Sequence, residues 1–123
     1  MKGKILLVDD DRVTLTMLEM ILARHGHQVL SAEDGEKGFA LACKVKPDMV
    51  ISDMLLPKLH GLDLCNKIKQ NPELKVTKVI LMTAVYKGAA FQFEIRDCGA
   101  DYFIKKPIDT NALLKKIDEM IAK

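Results

Sequence analysis

Along its length the chain alternates short apolar runs with helix-length amphipathic segments, and this alternation constrains the fold more than any other feature. Ile5-Leu6-Leu7-Val8 is uniformly apolar and suits a strand buried on both faces. Residues 12–25 place Leu15, Leu18 and Leu22 at helical spacing, with Gly26 as a stop. Residues 28–32 predict a second strand. Residues 35–46 predict a helix with Phe39, Ala42 and Cys43 on one face, ended by Pro47. A third strand over 49–52 precedes a helix over 62–70 that carries Leu64, Cys65 and Ile68 and stops at Asn71-Pro72. A fourth strand, 79–82, runs into Thr83. A fourth helix, 89–98, aligns Phe91, Ile95 and Cys98 before Gly99. A fifth strand, 102–104, leads into Lys105-Lys106-Pro107. Asp109 caps a last helix with Leu113, Leu114, Ile117, Met120 and Ile121 inward. Five β-α units in strict alternation predict an α/β fold: a doubly wound, five-stranded parallel sheet with helices on both faces.

Composition adds mainly exclusions. A chain of 123 residues, 49% hydrophobic, is expected to fold as a single domain over 1–123 without disulfides. The net charge of +2 argues against direct nucleic-acid binding, which usually goes with a basic excess on one face. No apolar stretch reaches membrane-spanning length, and the run after Lys4 is too short for a signal peptide. Cys43, Cys65 and Cys98 form no CxxC pair, which argues against a disulfide framework or a cysteine-based zinc site. Reduced, buried thiols in a cytoplasm are the expectation.

The polar residues that matter fall at the C-terminal ends of the predicted strands: Asp9-Asp10-Asp11, Asp53, Thr83 and Lys106. In open α/β sheets this edge is where ligands bind, at a topological switch point. If strands one and three are neighbours across that switch, Asp9, Asp10 and Asp53 converge. Two carboxylates about 5 Å apart repel by roughly 3 kcal/mol at an effective dielectric near 20. Either one stays protonated or a cation sits among them. An all-oxygen, solvent-facing set favours Mg²⁺. A carboxylate beside Mg²⁺ can attack phosphorus and form an aspartyl phosphate, with Lys106 supplying charge and Thr83 a hydroxyl hydrogen bond. Each residue also has a plainer reading. Three aspartates after a strand equally suit a helix N-terminal cap, and Asp53 or Thr83 alone suits loop chemistry. Their joint placement at one edge favours the site.

With these residues in place, the chain resembles the receiver domain of two-component response regulators. The resemblance rests on Ile5-Leu6-Leu7-Val8-Asp9-Asp10, on Val50-Ile51-Ser52-Asp53-Met54-Leu55-Leu56-Pro57 with Gly61 beyond, on Leu81-Met82-Thr83-Ala84, and on the run from Gly99 to Lys106-Pro107. It implies the flavodoxin-like strand order 2-1-3-4-5. It also implies that Asp53 is the phosphoacceptor, that Asp9, Asp10 and the Leu55 carbonyl join Asp53 in holding Mg²⁺, and that Lys106 pairs with the phosphoryl group. Thr83 and Phe103 become the switch hydroxyl and the rotating aromatic, and Lys106–Pro107 a candidate cis bond. Apolar Leu55 and Val85 would line the path of attacking water, so slow autodephosphorylation is expected.

The function that follows is a signalling switch rather than a turnover enzyme. It takes a phosphoryl group from a histidine kinase or phosphotransfer protein and changes the face formed by the fourth helix, fifth strand and fifth helix. That face then meets an output domain, a downstream protein or a second copy as a homodimer. Tyr86 and Phe93 are candidate contacts there, and the chain is expected to be a stand-alone receiver or a fragment of a larger regulator. The rival is a haloacid-dehalogenase-type phosphatase with Asp9 as nucleophile, which Asp9-Asp10-Asp11-Arg12-Val13 fits but which leaves Asp53 unexplained.

Overall fold

The computed structural model describes residues 3–56, 58–83 and 98–121. Its elements are β1 (Lys4–Val8), α1 (Arg12–Arg24), β2 (Gln28–Ala32), α2 (Gly35–Val45), β3 (Met49–Asp53), α3 (Gly61–Gln70), β4 (Lys78–Thr83), β5 (Tyr102–Lys105) and α4 (Thr110–Ile121). Here α4 is the last helix expected from the sequence. Of the predicted helix over 89–98, with Phe91, Ile95 and Cys98 aligned, all but Cys98 lies outside the described residues, as do Pro57, Ala84, Val85 and Tyr86.

The strands form one parallel sheet in the order β2-β1-β3-β4-β5, as expected. β1 and β3 are the inner pair at the switch point, with Ile5 opposite Met49 and Val8 opposite Ser52. Both are buried almost throughout, which is why their sequences are runs rather than alternations. Successive side chains still point to opposite faces and feed two separate cores. Leu6, Val8, Val50, Val79 and Leu81 pack with Ala42 of α2 and Leu64, Cys65 and Ile68 of α3. Ile5, Leu7, Met49, Ile51, Ile80 and Met82 pack with Leu15, Leu18 and Leu22 of α1 and Leu113 and Ile117 of α4. Each fully buried Leu or Ile contributes roughly 1.5–3 kcal/mol of burial.

The helix ends follow their sequence signals. Asp34 caps α2 by accepting the Lys37 amide at 2.8 Å, and Asp109 accepts the Ala112 amide at 3.2 Å. Gly26 takes φ 101° just after α1, the left-handed conformation that glycine adopts without strain. Lys46 closes α2 at φ 47°, a position where glycine is the usual residue.

Candidate functional site

The β1–β3 register explains why the acidic residues meet. Val8 lies opposite Ser52, so Asp9 and Asp53, each one residue further on, emerge side by side at the C-terminal edge. Asp9, Asp10 and Asp53 offer carboxylate oxygens that all lie within 4.8 Å of one another. Asp9 is fully buried, Asp53 is buried and Asp10 is exposed. From the far side, Lys106 reaches both buried acids, with Nζ 3.3 Å from Asp9 Oδ2 and 3.3 Å from Asp53 Oδ2. Its own backbone N–H donates to the Thr83 carbonyl at 2.7 Å, which ties the residue after β5 to the end of β4. The Lys106–Pro107 peptide is cis, as expected. Thr83 is buried at the end of β4, level with Lys105. Five of the polar residues read from the sequence therefore share one edge.

The three consecutive aspartates diverge, and the capping reading holds for one of them. Asp11 is the N-cap of α1, accepting the Val13 amide at 3.1 Å and the Thr14 hydroxyl at 2.7 Å. The Thr14 hydroxyl first, and then the Val13 amide, hold its carboxyl below the usual range. Asp9 points the other way, into the pocket, and accepts the Asp11 N–H at 2.9 Å.

Burial is the largest influence on Asp9 and pushes its carboxyl above the ordinary range. The Asp11 amide and the Lys106 charge oppose this, and the Asp53 charge adds to it. Burial also pulls Lys106 down, but the charges of Asp53 and Asp9 outweigh it and hold the ammonium above the ordinary lysine range. One ammonium thus serves two buried carboxylates while a third acid stands at the rim. A donor set made only of carboxylate oxygens, open toward Asp10, suits a hard divalent cation of the Mg²⁺ type.

Two glycines fix the loop between β3 and α3, which carries Leu55. A Cβ on Gly61 would lie 2.3 Å from the Asp53 carbonyl oxygen, and one on Gly35 would lie 1.9 Å from the Leu59 carbonyl oxygen. Both approaches exclude any side chain, so the starts of α2 and α3 grip the loop from two sides. This close approach is the physical reason for Gly61 in the sequence motif. Leu55 stands in this loop with its side chain 53% exposed. Phe103 is half-buried against the core on the α2–α3 face, while its neighbour Tyr102 faces α4, where Lys116 Nζ lies 4.7 Å from the ring centroid.

Two polar features were not foreseen. His60 caps α3, its Nδ1 accepting the Leu62 amide at 3.3 Å. His25 and His27, dispersed to the eye in sequence, meet Asp118 of α4 at the opposite end of the sheet. The first could have been suspected from its place just before Gly61; the second depends on how α1 and α4 pack.

Comparison with known proteins gives a consistent answer. Residues 5–118 match the family described as "Response regulator receiver domain". The chain is 36% identical over 120 residues to Protein PilH of Pseudomonas aeruginosa, covering 98% of both. It is 35% identical over 121 residues to the alkaline phosphatase synthesis transcriptional regulatory protein PhoP of Bacillus subtilis, of which it spans 49%. Among solved structures, it is similar to the signal receiver domain of a signal transduction histidine kinase from Syntrophus aciditrophicus. The TM-score there is 0.91 at 30% identity, covering 98% of this chain and 90% of that one. The chemotaxis response regulator CheY4 of Vibrio cholerae superposes with a TM-score of 0.88 at 26% identity, covering 98% and 99%.

Proposed function

The chain belongs to the response regulator receiver domain family, and from that premise we propose that it accepts a phosphoryl group on Asp53 from the phosphohistidine of a histidine kinase or phosphotransfer protein. The observation that carries this reading is the convergence of Asp9, Asp10 and Asp53 on one ammonium, Lys106, at the β1–β3 switch point. The phosphatase alternative has no support: the family match covers the whole sheet, and Asp9 is enclosed and paired with Lys106.

In this scheme an Asp53 oxygen forms the new O–P bond as the N–P bond to the donor imidazole breaks. Lys106 balances the charge of the phosphoryl oxygens, a role supported by its Nζ lying 3.3 Å from Asp53 Oδ2. Asp9, Asp10 and Asp53, with the Leu55 carbonyl, are the residues that would hold Mg²⁺, which when bound neutralises the carboxylates and draws charge off the phosphoryl oxygens. Phosphorylation replaces one negative charge with nearly two and adds acceptor oxygens. Thr83, at the end of β4, would donate its hydroxyl to them. Phe103, only half-buried one strand over, is the side chain free to reorient when Thr83 moves. The β5–α4 face would then meet an output domain, a downstream protein or a second copy.

For the incoming donor, α1 offers a surface beside the pocket. Val13, Met17 and Met20 lie at helical spacing and remain exposed. Among the described residues no helix is long and apolar enough to cross a membrane, which fits a switch working in the cytoplasm. The apolar Leu55 beside Asp53 supports slow loss of the phosphoryl group.

The deciding experiment mixes the protein with Mg²⁺ and acetyl phosphate and reads the phosphoryl adduct by intact mass. The adduct forms in the parent and is absent in Asp53→Asn. An adduct that persists in Asp53→Asn, or steady phosphate release lost only in Asp9→Asn, would sink the assignment.

A further inference from the structure

Two imidazoles and a carboxylate meet at the end of the sheet remote from the acidic pocket. His25 caps the C-terminus of α1, and His27 leads from the Gly26 turn into β2, whose first residue, Gln28, pairs with Lys4 at the start of β1. Asp118 comes from α4. One donor atom from each of the three lies within 4.8 Å of the others. His25 Nε2 is 3.0 Å and 3.3 Å from the two Asp118 oxygens. The imidazole centroids are 5.7 Å apart and the rings are tilted by 41°. His27 is only 6% exposed, whereas the His25 and Asp118 side chains are 30% and 46% exposed. The deep donor is therefore held by packing, and the two shallow donors can adjust and leave a route in from solvent.

We propose that His25, His27 and Asp118 form a second cation site, built for a divalent d-block ion of the Zn²⁺ type. The donor chemistry separates it from the pocket around Asp53. Carboxylate oxygens alone suit Mg²⁺, while imidazole nitrogen is a poor ligand for Mg²⁺ and a good one for zinc, copper and nickel. Two histidines, one carboxylate and a water make a four-coordinate zinc site. Zinc–ligand bonds of about 2.0–2.1 Å place neighbouring donors roughly 3.3 Å apart in a tetrahedron. The His25–Asp118 pair already stands at about that spacing. Closing the remainder takes side-chain rotation at the two residues that have room for it.

The placement gives such an ion a structural consequence. α1 and α4 cover the same face of the sheet and share one core, with Leu15, Leu18 and Leu22 on α1 and Leu113 and Ile117 on α4. An ion bound by His25 and Asp118 joins those two helices at one end, so its binding is linked to their relative position. α4 also belongs to the face proposed to carry the phosphorylation signal. The cation site shares no residue with Asp9, Asp10 or Asp53, so its test does not depend on that assignment.

The test titrates ZnCl₂ into the folded full chain carrying Asp9→Asn and Asp53→Asn, which removes the competing pocket. Competition with a zinc indicator gives stoichiometry and affinity, and the imidazole C–H resonances report the ligands. The expected result is about one Zn²⁺ per chain, with both His25 and His27 resonances shifting together and the thermal midpoint rising by several degrees at saturating zinc. His25→Gln and Asp118→Asn, at half-exposed positions that tolerate change, each weaken binding about tenfold or more and abolish the thermal gain. His27→Gln is informative only if it folds, which is why the two shallow ligands carry the test. No zinc uptake, affinity unchanged in His25→Gln and Asp118→Asn, or resonances that stay in place would each overturn the proposal and leave a simple His25–Asp118 contact.

Discussion

The two ends of the sheet use the same residue, aspartate, in opposite ways. At the N-terminal end, Asp48 and Asp101 face solvent yet are fully engaged by the fold. Asp48 accepts the Lys4 amide at 2.8 Å, and Asp101 Oδ2 accepts the Val79 amide at 2.8 Å and Lys69 Nζ at 2.7 Å. Lys69 also donates to the Thr77 carbonyl at 2.8 Å, and the Thr77 hydroxyl to the Pro47 carbonyl at 2.9 Å. At the C-terminal end, Asp9 and Asp53 are buried and face each other across a single shared lysine. Exposed acids bonded to backbone N–H groups hold strands in place. Buried acids crowded around too little positive charge suit a ligand that brings more, the role proposed for this end.

The largest expected effect breaks this symmetry directly. Asp101→Ala removes a charged acceptor from the Val79 amide and the partner of Lys69, and should destabilise the fold by about 2–3 kcal/mol. Chemical denaturation measures it, and acetyl phosphate labelling of the folded fraction should match the parent. Asp53→Asn should give the reverse, abolishing labelling with little change in the denaturation midpoint. If Asp101→Ala abolished labelling while the fold stayed intact, the separation of roles between the two ends would be wrong.

A second substitution probes how the end proposed to be reactive is held. Gly61→Ala would set a Cβ against the Asp53 carbonyl oxygen and the Met54 backbone, neither of which is a flexible side-chain tip. The backbone must move, at about 1–2 kcal/mol, and the movement falls on Asp53, the proposed acceptor. Labelling should slow well beyond what the lost stability explains. Equal labelling rates in the folded parent and variant would mean that the grip on this loop is not needed to place Asp53.

The alternation of apolar runs and amphipathic segments was enough to read the five-stranded parallel sheet, because buried parallel strands and half-buried helices leave different periods in the sequence. The site was legible for the same reason: strand ends are identifiable, and Asp9, Asp53, Thr83 and Lys106 all sit at one. Asp10 and Asp11 were harder, since the direction each side chain takes after β1 depends on where α1 begins. Gly35 and Gly61 were opaque because their importance lies in a backbone approaching from another element. The His25–His27–Asp118 group depends on packing between helices at the two ends of the chain, and single-sequence periodicity carries no trace of which helices touch. The aromatic residues at 86, 91 and 93 lie outside the described residues.

The smallest expected effect is also the sharpest test of what distinguishes the reactive end. Asp9→Asn keeps an oxygen for the Asp11 amide but removes the buried charge. Burial raises the Asp9 carboxyl above its unfolded value, so in the interval between the two the folded state binds more protons than the unfolded state. Stability contributed by this group therefore falls as pH rises through that interval, and stays lower above it. Asp9→Asn escapes that loss. The variant should melt slightly above the parent at neutral pH, and the gain should vanish below the unfolded pKa. Lys106 moves in the other sense: its raised value means a contribution present at neutral pH and lost only as pH climbs through the folded value, and Asp53 remains to sustain it. Labelling should weaken in the same variant, because the pocket loses one of the oxygens proposed to hold the cation. A lower melting point for Asp9→Asn at neutral pH would mean that attraction between Asp9 and Lys106 outweighs burial, making the two ends of the sheet alike. Higher stability with weaker labelling would show instead that the buried charge is kept at the fold's expense for the chemistry at Asp53.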